Sequence, residues 1–297
     1  MSLFANLGAK TPFPGMIKLV QKSPVHLAVI IICFVWSLPS VGLLISSFRP
    51  RGDVYSTGWW TVFQHPFNFT WISLQNYADV LTSQGIGRAF INSLTITIPA
   101  TVIPLAVASF AAYAFAWMDF PGRNLLFVFV VGLLVVPLQM TLIPLLRVYT
   151  NLGFNGTFLG VWLAHTGYGL PFAVYLLRNF IGSLPRDLFE SAFLDGASHM
   201  TSFFRLAIPL SVPAIASLAI FQFVYVWNDL LVALIYLGGS PEVTPVTLRL
   251  ASMVQSMGQE WQLLTAGAFV SMALPLVVFL LLQRYFVHGL MAGSVKG

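Results

Sequence analysis

Charge is what this chain most conspicuously lacks. Fourteen Lys or Arg and nine Asp or Glu make up 8% of its 297 residues, where a water-soluble domain carries about a quarter. Hydrophobic residues reach 58% and the mean hydropathy is +0.85, so a globule in water would have no polar surface to cover itself. Cysteine is nearly absent as well. Cys33 stands alone, which excludes an internal disulfide. Several chemical signatures are also missing. There is no H-E-x-x-H, C-x-x-C or G-x-S-x-G, and no G-x-x-x-x-G-K-[ST], so ATP is not bound by the P-loop route. No basic stripe with interleaved aromatics occurs, which argues against a nucleic-acid partner. No period of 20–50 residues signals a repeat array.

What is present is a series of long uncharged runs, and runs of about 18 or more such residues read as membrane-spanning helices. Six can be counted: Val25–Phe48, Ala89–Met118, Leu125–Leu146, Phe158–Leu177, Val212–Leu237 and Trp261–Gln283. Residues 1–24 carry Lys10, Lys18 and Lys22 ahead of a run too long for a signal h-region, so the first span reads as a retained signal anchor. Pro39, Pro99, Pro104, Pro137, Pro144, Pro171 and Pro275 fall inside these runs. They do not veto helices, because in a membrane neighbouring helices can satisfy the backbone groups a proline frees. Ala108, Ala112 and Ala116 put small residues four apart on one face, a spacing that suits close helix packing. The expected fold class is an all-α integral membrane protein with six spans.

Lys and Arg set the expected orientation. With the N-terminus inside, the inner segments hold Lys10, Lys18, Lys22, Arg123, Arg178, Arg186, Arg205, Arg284 and Lys296. The outer ones hold only Arg49, Arg51, Arg88, Arg147 and Arg249. Both termini are therefore expected in the cytoplasm of a multi-pass cell-membrane protein. Residues 49–87 form the first external loop, 88–287 the core of spans two to six, and 288–297 a cytoplasmic tail.

Ionisable residues within spans mark ion or proton pathways. Asp229, in "YVWNDLL", is the one convincing case. At mid-membrane it would cost roughly 2.5–3.5 kcal/mol, which predicts a site near an interface, in a helix contact or in a wet cavity. His165, in the fourth span, reads either as a ligand or proton relay or as a polar group satisfied by a neighbouring helix. A lone Asp falls short of the charged relay that most ion-coupled carriers need.

The scarce charge gathers in one inner segment, "RDLFESAFLDGASHMTSFFRLAIPL" from Arg186 to Leu210. Ser183 is the expected N-cap, with Pro185 in the first turn. A helical projection places Leu188, Phe189, Ala192 and Phe193 on one side and Arg186, Asp187, Glu190 and Ser191 on the other. Gly196 supplies the stop, and Ser198 caps a second helix that leads into the fifth span. Two readings follow: a helix lying on the membrane surface, or a docking knob with its apolar side for its own bundle or a partner's groove and its charged side toward a protein.

Glu190-Ser191-Ala192, then Gly196, Leu206, Ile208 and Pro209, resemble the "EAA" loop of binding-protein-dependent ABC importer permeases, E-A-A-x(3)-G-x(9)-I-x-L-P. The chain departs at Ser191 for Ala, Leu206 for Ile and Ile208 for Leu. "SSFRPRGDVYSTGWW", "VVPLQMTLIPLL", "NLGFNGTFLGVWLAH", "FVYVWNDLL" and "QRYFVHGLMAGSVKG" extend the resemblance over nearly the whole chain, toward the maltose/trehalose/α-glucoside branch. The resemblance implies a type I ABC importer permease bundle that is not itself an enzyme. It implies a second permease subunit, two ATPase subunits that bind ATP and Mg so that this chain holds no cofactor, and an extracytoplasmic sugar-binding protein. It places ATPase coupling on Arg186, Asp187, Glu190, Ser191, Ala192, Asp195, Gly196, Ala197 and Pro209 within the loop 183–210. Gly293, Ser294 and Lys296 of the tail become secondary ATPase contacts, and residues 238–260 the place that probes the binding protein.

Gln139, Tyr225, Asn228 and Asp229 are candidates for lining the sugar pathway, since polar groups over aromatic platforms suit sugars; the same residues would serve equally as helix-packing contacts. A self-sufficient carrier or channel is the competing reading, and it would make Asp229 and His165 essential.

Overall fold

The computed structural model describes the backbone of residues 14–64, 67–256 and 260–292, and the side chains of residues 25–64, 67–254 and 260–283. Among the described residues every regular element is a helix. The chain begins with α1 (Pro14–Phe48), α2 (Arg51–Ser56) and α3 (Gln75–Leu81), followed by the 32-residue α4 (Ile86–Trp117). Next come α5 (Arg123–Gly132), α6 (Leu138–Leu152), α7 (Phe158–Gly182) and α8 (Arg186–Leu194). The last five are α9 (His199–Ser202), α10 (Ile208–Trp227), α11 (Leu231–Leu237), α12 (Val246–Ser256) and α13 (Trp261–Ala292).

Four described stretches are long and apolar enough to cross a bilayer: Val25–Phe48, Ile86–Trp117, His199–Trp227 and Trp261–Gln283. A fifth results if α5 and α6 count as one span, broken by a 102° bend. The sequence reads 125–146 as a single run, but at Pro137 the missing N–H ends one helix and the chain restarts in a new direction. The 25-residue α7 would extend about 37 Å. It is not apolar enough to pass the same test, since it carries His165, Thr166, Tyr168, Arg178 and Asn179. The fifth run also ends earlier than its composition predicts. Its helix stops at Trp227, and Leu231–Leu237 is a separate element.

At the centre α4 and α7 pack along each other, with α10 against α4 and α13, and α1 outermost against α13 and α3. Ala108 and Ala112 are fully buried at this contact, as their four-residue spacing leads one to expect.

Three prolines show how the bundle holds together. Each removes the N–H that its helix would use to satisfy the carbonyl four residues back. Pro99 frees the Thr95 carbonyl, which accepts from Trp162 Nε1 of α7 at 2.9 Å. Pro104 frees the Ala100 carbonyl, which accepts from Gln222 Nε2 of α10 at 3.1 Å. Pro275 frees the Ser271 carbonyl, which accepts from Trp227 Nε1 at 3.1 Å. Gly169 makes room for the second of these bonds: a Cβ there would lie 2.7 Å from Gln222 Oε1.

Candidate functional site

The charged segment folds as a knob at the end of the bundle where α4 stops and α7 runs out. Ser183 caps the C-terminus of α7 and donates to the Phe180 carbonyl at 2.7 Å. The N-cap of α8 is Pro185, without a side-chain bond. Ser183 is therefore not the N-cap that the sequence suggests, because α7 persists to Gly182 and leaves no room for one. Gly196, at φ +80°, ends α8. The Ala197 N–H donates to the Ala192 carbonyl at 2.9 Å and the Gly196 N–H to the Phe193 carbonyl at 3.0 Å, the paired closure that a left-handed residue permits. Space around a Cβ at Gly196 is open, so glycine is required by the backbone alone. Ser198 caps α9 as expected, its Oγ accepting from the Thr201 N–H at 3.2 Å.

Aromatic rings fix this knob to α4. Phe189 is fully buried and stacks on Trp117, with centroids 3.9 Å apart and planes at 19°. The Trp117 indole in turn donates to the Ile181 carbonyl at 3.1 Å, near the end of α7. His199 lies 5.1 Å from the Phe193 ring, and its Nδ1 is 3.3 Å from the Tyr113 hydroxyl. Phe203 stacks on Phe110 at 4.4 Å. The Phe189–Trp117, His199–Tyr113 and Phe203–Phe110 contacts join the 186–203 segment to one face of α4. Trp117, Tyr113 and Phe110 do not stand out in the sequence, since aromatics ending an apolar run look like ordinary span residues.

The other side of α8 is free. Arg186, Asp187, Glu190, Ser191 and Asp195 are exposed, and among the described residues none of their charges is paired. Leu188 departs from its expected place on the packed side and is 45% exposed, while Leu194 is 89% exposed. Within α8, Phe189 is buried in the core and Phe193 packs against the same cluster. Between α9 and α10 the residues Phe203–Ala207 form a wider π-turn. It lies just before Pro209, whose ring would crowd the Arg205 carbonyl in a regular helix. Gly293, Ser294 and Lys296 lie outside the described residues.

The four pathway candidates are not brought together in one site. Tyr225 is half-exposed and lines a groove of about 290 Å³ at the α5–α6 bend, with Thr141, Gly167, Tyr168 and Pro171. The Thr141, Tyr168 and Tyr236 hydroxyls form a chain there, each step 3.0 Å. Gln139 is exposed just beyond Pro137, and Asn228 is exposed with its amide donating to the Val224 carbonyl at 2.9 Å. Asp229 caps α11, its carboxylate accepting from the Val232 and Ala233 N–H groups at 3.3 and 3.1 Å. That cap explains why the fifth apolar run breaks here. His165 Nε2 stands 3.8 Å from Asp229 Oδ2, too far for a hydrogen bond. Both border a cavity of about 10 Å³ with Ser93 and Thr97, about the room one water needs. Tyr168 and Thr141 were not legible in advance, because α6 and α7 meet only in three dimensions.

The opposite end of the bundle is held differently. Asn92 Nδ2 donates to the Glu242 and Thr244 carbonyls at 2.9 and 3.0 Å. Ser93 Oγ accepts from the Val246 N–H at 2.8 Å, and Arg249 Nε donates to the Gln84 carbonyl at 2.7 Å. These bonds tie the 238–249 segment to the start of α4.

A bundle of long apolar helices with one charged, ring-anchored knob between them defines a membrane transport component. The chain belongs to the family of binding-protein-dependent transport system inner membrane components, whose model matches residues 105–291. It is the permease subunit of an ABC importer, a transport subunit rather than an ATPase. It is 67% identical to the osmoprotective compounds uptake permease protein GgtD of Synechocystis sp., over 93% of each chain. It is 41% identical to the alpha-glucoside transport system permease protein AglG of Rhizobium meliloti, over 92% of this chain and 97% of that one. In fold it matches a chain of a bacterial ABC transporter involved in import of the acidic polysaccharide alginate, with a TM-score of 0.75 at 18% identity. That match covers 93% of this chain and all of the other. A second match, with a TM-score of 0.65 at 16% identity, is to an alginate transporter in complex with its pentasaccharide-bound periplasmic protein. These likenesses give no support to a self-sufficient carrier or channel.

Proposed function

We propose that this chain is one of two permease subunits in an importer for neutral glucosides that serve as osmoprotectants. The names of its relatives support that substrate class, one a permease for osmoprotective compounds and one for alpha-glucosides. In this reading the chain crosses the membrane six times, with α7 as the fourth span and α5–α6 as a bent third. Both termini and α8 face the cytoplasm, and residues 49–87 and 238–260 face outward. A second, different permease completes the pathway, and two ATPase subunits bind ATP and Mg. A soluble sugar-binding protein delivers cargo from outside. Tyr225 and its groove line the pathway from this side; Gln139, Asn228 and Asp229 flank it.

The observation that carries the reading is the division of α8. Phe189 is locked to α4 while Arg186, Asp187, Glu190 and Asp195 are exposed and unpaired. The sequence holds no P-loop and ATP is hydrolysed by a separate subunit, so in this reading the motor acts on the chain from outside and α8 receives the push. Only contacts that differ between the motor's two states can shift the permease's equilibrium. Ser191, Ala192, Gly196, Ala197 and Pro209 shape that contact, and the tail with Gly293, Ser294 and Lys296 adds a second one.

The test is sugar uptake by the complete transporter carrying Glu190→Lys with Gly196→Pro. Uptake and ATPase stimulation should fall by about ten-fold or more while the protein still inserts. Undiminished uptake would remove the coupling role.

A further inference from the structure

Between α1 and α3 the chain folds around a pocket of about 190 Å³, bordered by Asp53, Thr61, Gln64, Asn68 and Trp71 together with Arg49. Neither the coupling contact nor the pathway uses these residues. The wall is braced from within. Arg49 is only 3% exposed and spends its guanidinium on the chain itself. Its Nη1 donates to the Thr57 carbonyl at 3.2 Å, and its Nη2 to the Asp53 carbonyl at 3.0 Å and to the Thr57 hydroxyl. From α3, Asn76 Nδ2 donates to the Ser47 and Arg49 carbonyls, each at 2.9 Å. The brace leaves polar groups of both kinds over. Only the backbone of Asp53 is engaged, and among the described residues its carboxylate has no hydrogen-bond or ion-pair partner. Asn68 Oδ1 accepts from the Thr70 N–H and hydroxyl at 3.1 and 2.7 Å, which leaves the Asn68 amide N–H groups free. Gln64 is exposed, and Trp71 is partly exposed without stacking on another ring among the described residues.

We propose that this pocket binds one ring of a neutral sugar, as a second sugar site apart from the Tyr225 groove. The proposal takes its ligand class from the importer reading above and adds a place on this chain where that ligand is held. Sugar hydroxyls both donate and accept, and the free groups answer both: the Asp53 carboxylate accepts, the Asn68 amide donates, and Gln64 does either. Trp71 supplies the apolar face, with an indole N–H beside it. A small number of placed polar groups on a concave wall is what fixes a small ligand's orientation. With each water taking about 30 Å³, the pocket has room for about six waters, which suits one ring rather than a longer saccharide. An anion fits poorly. Arg49 Nε is buried and both Nη atoms already donate to the chain, while the unpaired Asp53 carboxylate repels negative charge.

The experiment uses the complete transporter in lipid nanodiscs without its binding protein, and titrates methyl α-glucoside while reading saturation transfer from protein to sugar by NMR. Asp53→Ala should weaken binding by about ten-fold, and Asp53→Asn by less, because the amide oxygen still accepts. Gln64→Trp fills the pocket without removing any bond described above, and should abolish the pocket's share of the signal. Melting temperature and co-purification of the partner subunits show that each variant is folded. If the wild type gives no transfer, or if Asp53→Ala and Gln64→Trp titrate like the wild type, the pocket is not a sugar site. If inorganic phosphate displaces the glucoside, the pocket takes anions and the proposal is overturned. If the wild type with its binding protein imports no glucoside, it is the importer reading that falls, and the transfer measurement still decides the pocket.

Discussion

The two ends of this bundle are stabilised by different means, and the difference matches the roles proposed for them. At the α8 end, rings pack on rings: Phe189 on Trp117, His199 against Phe193 and Tyr113, Phe203 on Phe110. These contacts leave exposed charges of both signs on the far side of α8. At the Arg88 end, polar side chains hold backbone carbonyls and one N–H: Asn92 on two carbonyls, Arg249 on one, Ser93 on the amide. These bonds fix the shape of a connecting segment and leave Arg88 and the Glu242 carboxylate exposed. In the proposed reading, the contact with the ATPase lies at one tip of α4 and the segment that meets the binding protein at the other.

The contrast is broken most severely by Phe189→Ala. A fully buried Phe lost from a packed site costs about 3–5 kcal/mol. The detergent-solubilised complex should unfold at lower temperature, and uptake should fall while binding-protein affinity is unchanged. Asn92→Ala at the other tip should cost less, about 1–3 kcal/mol, because it leaves one buried and one part-buried carbonyl without a donor. Its signature is the reverse: weaker stimulation by the binding protein and intact association with the ATPase, measured by co-purification. An effect of Asn92→Ala on ATPase association would show that the two ends do not act separately. The middle of the bundle belongs to neither end and gives the smallest effect. Gln222→Leu should cost about 0.6–1.7 kcal/mol, read by thermal denaturation. Gly169→Ala should cost little more once Gln222 is Leu, because both changes remove the bond to the Ala100 carbonyl.

Much of the scaffold could be read from the chain alone, because apolarity over 20 or more residues is a long-range signal carried by local composition. The Gly196 stop and the Ser198 cap were legible for the same reason, each being written within four residues of where it acts. The misreadings have physical causes. "VWNDLLVALIYL" looks continuous because Leu, Val and Ala outnumber the single Asp, yet that Asp caps a new helix. Ser183 looked like an N-cap because Pro185 follows it, but the last turn of α7 had already claimed it. Pro137 reads like Pro99 and Pro104, although only it turns the chain through 102°. At Pro99 and Pro104 a donor arrives from another helix to take the freed carbonyl, and no local window contains that donor.

Those distant donors also set a timetable. The ribosome completes Thr95 and Ala100 of α4 long before their partners, Trp162 lying 67 residues later and Gln222 122 residues later. At about 5–20 residues per second the two carbonyls wait roughly 3 to 25 s. Until then the partners that the finished bundle uses do not exist, and hydrocarbon penalises a polar group left without one. The arrival of α7 and then α10 closes them in turn. The order in which the helices are synthesised is thus also the order in which the bundle locks.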